Sequence, residues 1–575
     1  MVLYLIMFKK NPHLFFFLLI VFIILLKLPP VMSSDIQPWD EGMYALRVNS
    51  IVSFGDVLDQ SSHSVGGFYS AAHPPLLIWI GSITNMIFGD HSYVYKLIVF
   101  VISLITLLMI YLTAFELYFL IPIGESGKET KDETGGALFG LLSAMIFSGN
   151  IIFHVFSQRF QFDIPYSLLI ISSFYFIILF LKTKSKKYLV ITGISFGLCL
   201  MMKILVGFII PIVLFSFFLL SSENKVVKRF TLKSLLIITA IGILIAAPWH
   251  IYMLSKFGSS FLDYFFGFHV YKRAIEGIEQ NAKTSGPLYH INYFLTIIPY
   301  SILAAKKIFI DIRKFRSIDI YTKFIDVWFI CSLAIITIFK TKLESYTFLI
   351  LLPACFMIPS LIFFHSEYFH VRKKYLAILL ALNLIWYAIE DYRDIGKVFI
   401  SENTGNLILI VVILLLTTTV LYFIYLYLIN KFYPKRLLIY IIITTFFMSG
   451  MWYLYKRPKW ENTYILSGIK QEILSKEIKE IAYIGFGYQR NPQFSYYFDG
   501  IDIGWNKLDI KYRFINQASP QDSISNVIST LAKNTAVLVE KDGINRGVYL
   551  PSETFISDSL KLDMKTPGYE LYIKK

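Results

Sequence analysis

Residues 38–45 read Pro38-Trp39-Asp40-Glu41-Gly42-Met43-Tyr44-Ala45, and they follow a long apolar run whose core is Phe15 to Leu28. A run of this kind is typical of a membrane helix. Two adjacent carboxylates therefore emerge where the first membrane helix ends. His73-Pro74-Pro75-Leu76 comes later, followed by a short apolar segment that ends at Phe88-Gly89. The sequence predicts one folded loop over residues 32–90 at the membrane surface, with the rest of the chain holding a cavity beneath it.

The composition is that of a membrane protein. The chain has 575 residues, of which 56% are hydrophobic, 17% aromatic and only 16% charged, and its mean hydropathy is +0.60. A soluble protein would carry about 25% charged residues. Many apolar runs reach about 17 to 25 residues, which is enough to cross a bilayer. We therefore expect a polytopic α-helical membrane protein.

The basic residues predict the topology. The formal net charge is +15, but the positive charges cluster in short loops such as Lys182–Lys187, Lys225–Arg229 and Lys306–Lys323. Such clusters mark the cytoplasmic side of a membrane protein, so we expect membrane lipids and no nucleic acid as partners. Counting alternating sides gives about 13 transmembrane helices. The N-terminus is then inside and the C-terminus outside.

The apolar segment from Pro75 to Phe88 is shorter than the roughly 20 residues of a typical span. If it crossed the membrane, every later basic loop would move to the outer side. We therefore expect it to lie in the membrane interface, and the second span to begin near Tyr95.

The composition changes after Tyr455, where charges and turn residues become frequent. Ile481–Phe486 and Ala536–Val539 are typical of strands, and Asp522–Lys533 has the periodicity of an amphipathic helix. The sequence thus predicts a transmembrane domain over residues 1–455 and a soluble, extracytoplasmic α/β domain over residues 456–575.

Asp40 and Glu41 are the first candidate catalytic residues. A carboxylate beside a membrane cavity can accept a proton or bind a cation. The structural alternative is that Asp40 caps a helix beginning at Glu41, with acidic groups near its positive end. Neighbouring residues on a helix diverge by about 100°, so both side chains cannot point into one cavity.

Three further residues have a functional and a structural interpretation. Asp163 stands at a membrane boundary, where an acid is a site candidate or a helix cap. Lys203 lies in a predicted turn between two spans, where its amine would bind a phosphate or simply reach the interface. His73 would donate to a phosphate, or it merely precedes two prolines suited to the first turn of a helix.

More basic residues lie in the predicted outer loops. Arg273 follows His269 in one loop, and Lys340 and Lys342 begin another. Each charge alone is typical of a solvated loop. Taken with the carboxylate pair, they favour an anionic, lipid-linked substrate over a neutral solute.

An ordered series of motifs carries a family resemblance over roughly residues 10–370. The series contains PWDEGMYA, HPPLLIWIGSITNMIFG, Asp163, Lys203 with Gly207, PWHIYMLSKFGSSFLDYFF, Arg273, GPLYHINYFLTIIPY and KLESYTFLILLPA. It resembles the polyprenyl-phosphate-sugar-dependent membrane glycosyltransferases of the GT-C class, which include protein O-mannosyltransferases and the lipid A aminoarabinose transferase. The C-terminal α/β region also looks like the outer domain of the aminoarabinose branch.

The resemblance implies an inverting transfer of a sugar from an undecaprenyl-type polyprenyl phosphate. The acceptor would be lipid A or lipopolysaccharide, another glycan or a protein, on the outer side of the inner membrane. His73 stands where the lipid A branch often has lysine, and Lys203 is followed by isoleucine rather than glycine, so the acceptor stays open. The implied catalytic residues are Asp40, Glu41 and Asp163, and the implied donor-phosphate ligands are His73, Lys203, Arg273 and Lys342.

No cofactor is predicted, and a divalent cation at Glu41 or His269 stays open. One alternative function is a transporter or flippase of a polyprenyl-linked sugar, which often has inverted repeats. Another is an assembly protein whose outer tail is a binding module. The ordered motif series favours the transferase over both.

Overall fold

The computed structural model describes residues 11–60, 63, 73–122, 131–221, 230–276, 289–291, 301–364, 434–461, 465–485, 491–505, 507–516, 519–541 and 553–575. The chain divides into two compact units. The first unit comprises Met1–Leu28, Phe100–Gln158 and Phe162–Tyr455. The second comprises Pro29–Val99, Arg159–Gln161 and Lys456–Lys575. Residues of the predicted outer loop thus share a unit with the C-terminal region.

Seven helices in the described part of the chain are long and apolar enough to cross a membrane. At about 1.5 Å per residue, a helix of 20 residues covers the ~30 Å apolar core of a bilayer. The seven are Leu14–Ser33, Ser92–Leu120, Asp163–Thr183, Ile204–Ser221, Leu232–Phe257, Ile320–Ile338 and Glu344–Phe363. The chain is therefore a multi-pass membrane protein, as predicted. The count of about 13 stays a prediction, because part of the sequence on which it rests lies outside the described residues.

Shorter apolar helices accompany these spans, namely Leu76–Phe88, Glu133–Ser148, Lys187–Leu200 and Leu438–Leu454. The last is the apolar part of a helix over Pro434–Glu461. Leu76–Phe88 has 13 residues, or about 20 Å of helix, which is less than a bilayer core. Its predicted place in the membrane interface stays a prediction.

The remaining helical elements of the first unit are short. They are Ile151–Phe156, Ser259–Leu262, a π-helix over Asp263–Lys272, Arg273–Ile275 and Ser301–Arg313. Ser301–Arg313 lies partly within the predicted basic loop Lys306–Lys323. Lys307 there is buried, with its Nζ 2.5 Å from Asp311 Oδ2 and 3.2 Å from Asp326 Oδ1. This part of the predicted loop is therefore a helix that carries a buried ion cluster.

The acid motif begins a helix over Asp40–Phe54 in the second unit. The helix ends at Gly55, whose φ of 75° is in the left-handed region that glycine enters without steric cost. The segment Arg159–Gln161 belongs to the same unit. The Phe160 ring packs so closely on Gly81 that it leaves no room for a Cβ atom there.

The C-terminal region contains a sheet of five strands, β1 Glu480–Gly485, β2 Lys511–Asn516, β3 Ala536–Glu540, β4 Leu560–Lys565 and β5 Tyr569–Lys574. Their order in the sheet is β2-β1-β3-β5-β4. The pairs β1–β2 and β1–β3 are parallel, and β3–β5 and β4–β5 are antiparallel. The helices are Ser467–Ser475, Pro492–Tyr497, Gln521–Ser529 and Glu553–Ser559. The predicted α/β region is confirmed.

The predicted amphipathic helix is observed over Gln521–Ser529. Ile524 and Ile528 lie on one face of it, four residues apart, and both are buried in the core beside Leu531. The two predicted strands are the central β1 and β3. Their apolar runs are typical of strands covered on both faces.

Candidate functional site

The backbone at the acid motif is unusual. Trp39 precedes the helix with φ of 63° and ψ of −127°, and its side chain makes no capping hydrogen bond. A non-glycine residue at such a φ costs of order 1–3 kcal/mol and is most frequent at functional sites. Asp40 is the first helical residue and half-buried. The alternative in which Asp40 caps a helix that starts at Glu41 is wrong, since Trp39 holds the cap position.

Glu41 is fully buried and both of its oxygens accept hydrogen bonds. Oε2 accepts from the backbone N–H of Gln37 at 2.8 Å and from the ammonium of Lys96 at 3.1 Å. Oε1 accepts from the backbone N–H of Phe160 at 2.8 Å. The side chain thus holds the start of the acid helix to two other segments. This geometry favours a positioning role for Glu41 over direct contact with a substrate.

Asp90 is a second junction in this unit, and sequence reasoning missed it. Its Oδ1 accepts from the hydroxyl of Tyr95 at 2.7 Å and from the side-chain amide of Asn85 at 3.1 Å. Its Oδ2 accepts from Asn49 at 3.1 Å, and the hydroxyl of Tyr496 donates to Oδ1 at 3.1 Å. One carboxylate therefore joins the acid helix, the helix Leu76–Phe88, the start of a span and the C-terminal region.

His73 is half-buried at the edge of the described part of the loop. Its carbonyl accepts from Arg47 Nη2 at 2.9 Å, and its ring packs edge-on against Tyr44 with 6.0 Å between centroids. Arg47 also donates to Gln60 Oε1, and burial lowers the pKa of Arg47 to about 10. The acid helix thus anchors the backbone of His73, while phosphate binding by its imidazole stays a prediction.

Lys203 lies in the predicted turn of the first unit, between Lys187–Leu200 and Ile204–Gly207. Its Nζ is 4.9 Å from the ring centroid of Tyr346 and 6.0 Å from that of Tyr166. An ammonium within about 6 Å of an aromatic face is attracted to it electrostatically. The Tyr166 hydroxyl donates to the carbonyl of Ser345 at 3.1 Å. Lys203 therefore lies against two buried tyrosines.

Asp163 begins the span Asp163–Thr183 and is buried. Phe162 holds the cap position, so the alternative in which Asp163 is the cap residue is wrong. Among the described residues no group hydrogen-bonds to its Oδ1. Buried polar atoms normally have partners, so Asp163 stays a site candidate. Asp163 stands three residues before Tyr166, on the same side of the helix.

Arg273 follows a π-helix whose last turn contains His269. The carbonyl of Arg273 accepts from the N–H of Thr341 at 3.0 Å and from its hydroxyl at 2.8 Å. Burial, together with the cations Arg273 and Lys203, lowers the pKa of His269 to about 3. Arg273 and Lys203, the two predicted phosphate-binding residues, therefore both help to keep the imidazole of His269 neutral. The structure thus brings Lys203 and Arg273 into one electrostatic neighbourhood.

Lys342 is buried, and its ammonium donates to three carbonyls at the end of the span Ile320–Ile338. The acceptors are Ile336 at 2.7 Å, Thr337 at 2.9 Å and Phe339. A cation at the C-terminus of a helix binds its last carbonyls and complements its dipole. Phosphate binding would require the ammonium to leave all three, so the structure favours a capping role for Lys342 over the predicted one.

His290 is a buried residue to which the sequence assigned no role. Its Nδ1 is 3.4 Å from Thr347 Oγ1, and its Nε2 has no hydrogen-bond partner within the described ranges. Burial and the nearby Lys342 lower the pKa of His290 to about 3. The centroid of its ring lies 6.2 Å from that of Tyr346, the residue whose ring Lys203 contacts.

Lys27 is another residue that sequence reasoning missed. It lies within the first span and is fully buried. Its Nζ donates to the carbonyl of His154 at 2.6 Å and stands 4.1 Å from the Tyr453 ring centroid. The sequence could have indicated Lys27, because it is a lone charge within an apolar run and charges inside spans usually mark function.

In the described part of the chain, no group of three or more His, Cys, Asp or Glu residues is suited to hold a metal ion. Glu41 already accepts three hydrogen bonds, and it lies in a different unit from His269. A cation at either residue stays a prediction.

The fold and these residues define a class: a multi-pass membrane protein with the GT-C fold, an acid motif at a helix start and a C-terminal α/β region. Two crystal structures of ArnT from Cupriavidus metallidurans have this fold. The structure bound to undecaprenyl phosphate matches with a TM-score of 0.63 and 13% identity, covering 97% of each chain. The apo structure matches with a TM-score of 0.62 and 13% identity, covering 96% of this chain and 97% of that one.

The family described as dolichyl-phosphate-mannose-protein mannosyltransferase matches residues 133–252. No curated protein matches the chain. The GT-C resemblance predicted from the sequence is confirmed by the fold and supported by this segment.

Proposed function

We propose that this protein is a membrane glycosyltransferase that moves a sugar from a polyprenyl phosphate to an acceptor on the outer side of the inner membrane. The fold of ArnT, whose crystal structure contains undecaprenyl phosphate, supports this class of donor. The observation that carries the proposal is the fold of ArnT over 97% of the chain, within which the cations Lys203 and Arg273 are near enough to the buried His269 to lower its pKa. Such a group of residues suits an anionic head group.

The lipid chain of the donor would lie in the bilayer, where each buried methylene contributes about 0.8 kcal/mol. The protein must then hold the head group and the leaving phosphate. Lys203 and Arg273 would stabilise the negative charge that grows on the phosphate as the glycosidic bond breaks. His269, kept neutral by burial and by both cations, would hydrogen-bond without adding charge. His73 is a further candidate donor to the phosphate.

Asp40 would act on the acceptor. With a hydroxyl acceptor, its carboxylate takes the proton as the acceptor oxygen bonds to the anomeric carbon. The bond from that carbon to the phosphate oxygen breaks, polyprenyl phosphate leaves, and the anomeric centre inverts. With a phosphate acceptor, which is already ionised, Asp40 would only orient it. Asp163, one of whose buried oxygens has no hydrogen-bond partner among the described residues, is the second candidate acid.

The acceptor would be a component of the cell envelope: lipid A or lipopolysaccharide, another glycan, or a protein. In this proposal the N-terminus is cytoplasmic and residues 456–575 form an extracytoplasmic domain that follows a transmembrane domain over residues 1–455. A divalent cation stays a proposal, since it would join the Asp40 carboxylate to an ionised phosphate acceptor.

The test is a transfer assay with the purified chain in lipid nanodiscs. Polyprenyl-phosphate sugar is offered with a lipid A, a glycan or a peptide acceptor, and the release of polyprenyl phosphate is measured. We expect release with one acceptor class and none with a nucleotide sugar alone. Turnover of a nucleotide sugar without lipid would contradict the proposal. Movement of the intact lipid-linked sugar across the bilayer, with no new glycosidic bond, would support a flippase instead.

A further inference from the structure

The acid helix and the C-terminal region meet through their backbones. A Cβ built on Gly42 would lie 2.6 Å from the backbone N of Gln493 and 3.0 Å from the carbonyl carbon of Pro492. Real Cβ atoms do not approach so closely, so this contact requires glycine. Gly42 stands two residues after Asp40. The helix Pro492–Tyr497 therefore rests directly on the turn that presents the proposed base.

The segment before the acid motif caps a helix of the C-terminal region. Asp35 Oδ2 accepts from the N–H groups of Leu466 and Ser467, both at 2.9 Å. The helix Ser467–Ser475 has no capping side chain of its own, because Leu466 occupies its cap position. A carboxylate satisfies the unpaired N–H groups there and complements the helix dipole.

Two tyrosines complete the junction from the other side. The hydroxyl of Tyr497 accepts from the N–H of Ile36 at 2.9 Å, and that of Tyr496 donates to Asp90 at 3.1 Å. Both tyrosine side chains are buried. The contacts therefore hold the chain on both sides of Trp39, whose φ of 63° needs external support.

We propose that the C-terminal α/β region is a positioning element of the transferase, which fixes Asp40 by seating the helix Pro492–Tyr497 on Gly42. This inference rests on the proposed function. The C-terminal residues touch no reacting atom in this scheme. Their effect is on the placement of Asp40, so it falls on the rate of transfer and leaves donor binding unchanged.

The test compares two glycine variants of the full chain in nanodiscs. Gly42→Ala forces the two backbones apart, whereas Gly468→Ala is the matched control, since nothing lies within 4 Å of a Cβ at Gly468. A displacement of about 1 Å at a reacting group costs about 100-fold in rate. We expect Gly42→Ala to lower kcat by about 10- to 100-fold, with an unchanged KM for the donor, and Gly468→Ala to keep both constants.

Hydrogen exchange over residues 36–46 gives a readout independent of turnover. We expect faster exchange there in Gly42→Ala and wild-type exchange in Gly468→Ala. A normal kcat in a monodisperse Gly42→Ala preparation would overturn the inference, and so would an equal loss of donor binding. If Gly42→Ala does not fold, Tyr497→Phe decides instead, because it removes only the hydroxyl that accepts from Ile36. Lowered kcat with unchanged donor KM supports the inference, and unchanged kcat overturns it.

The transfer activity of the wild-type protein distinguishes a failure of this inference from a failure of the proposed function. Absence of transfer by the wild type would contradict the function itself, whatever the variants do. Transfer by the wild type together with full activity of the junction variants would contradict only the positioning role.

Discussion

The ammonium of Lys96 lies 3.1 Å from Oε2 of Glu41, and both side chains are almost completely buried. Removing one partner of a buried ion pair leaves an uncompensated charge, at a cost of about 3–5 kcal/mol. We therefore expect Glu41→Gln to lower the stability of the second unit by that amount. Thermal unfolding of the purified variant measures the loss.

The double variant Glu41→Gln, Lys96→Met checks the cause. It removes the stranded ammonium, so it should recover part of the lost stability, as buried pairs replaced by apolar residues often do. Equal stability of wild type and Glu41→Gln would show that the pair contributes little. A large loss of kcat without loss of stability would instead restore Glu41 to a catalytic role.

Substitutions of Lys203 and Lys342 should have different effects on the KM for the donor. Lys203→Met removes a charge proposed to bind phosphate, and hydrogen bonds to charged groups contribute about 1.5–3 kcal/mol. We expect the donor KM of Lys203→Met to rise about 10- to 100-fold. Lys342→Met should keep its donor KM and lose thermal stability, since its ammonium binds three carbonyls. Equal rises in the donor KM of both variants would show that Lys342 also binds the phosphate.

His290 should make the folded state sensitive to acid. Burial and Lys342 lower its pKa to about 3, whereas an unfolded histidine titrates near 6.5. Between these values the unfolded chain binds more protons. Stability is therefore fully present above about pH 6.5 and falls as the pH drops toward 3, by about 2 kcal/mol at pH 5.

His290→Gln removes this titration without introducing a charge. Melting temperatures of wild type and variant are compared at pH 7 and pH 5. The wild type should lose more stability than the variant over this interval. Equal losses would contradict the assignment of a buried neutral imidazole.

The sequence predicted local features well, because they depend on neighbouring residues. The turn at Lys203 lies between two apolar runs, and the periodicity of the segment around Ile524 and Ile528 predicts their helix. The acid motif was likewise expected at a helix start.

Partners distant in the sequence could not be predicted. Phe160 donates to Glu41 across 119 positions, and Lys27 lies against Tyr453; no local pattern encodes either contact. Lys342 appeared to be one more charge in an outer loop, and only its position after the span reveals the carbonyls it binds. Tertiary contacts thus distinguish the roles of Asp40 and Glu41, two adjacent carboxylates for which the sequence alone predicts almost the same role.

The topology can be tested with reporter fusions. We expect fusions at Lys184 and Arg436 to report the cytoplasm and a fusion at Lys575 to report the outer side. A fusion at Lys128, outside the described residues, should report the cytoplasm as well. A cytoplasmic C-terminus would contradict both the count of about 13 spans and the outer position of the C-terminal region.

The most direct test of the central claim is the turnover of Asp40→Asn, which keeps the shape of the side chain and removes its charge. Asp522→Asn is the matched control, because Asp522 also lies in the first turn of a helix but is exposed in the C-terminal region. If Asp40 is the base, kcat with a hydroxyl acceptor should fall at least ~100-fold, with normal membrane insertion, while Asp522→Asn stays at the wild-type rate. Near-normal turnover by a well-folded Asp40→Asn preparation would contradict the account.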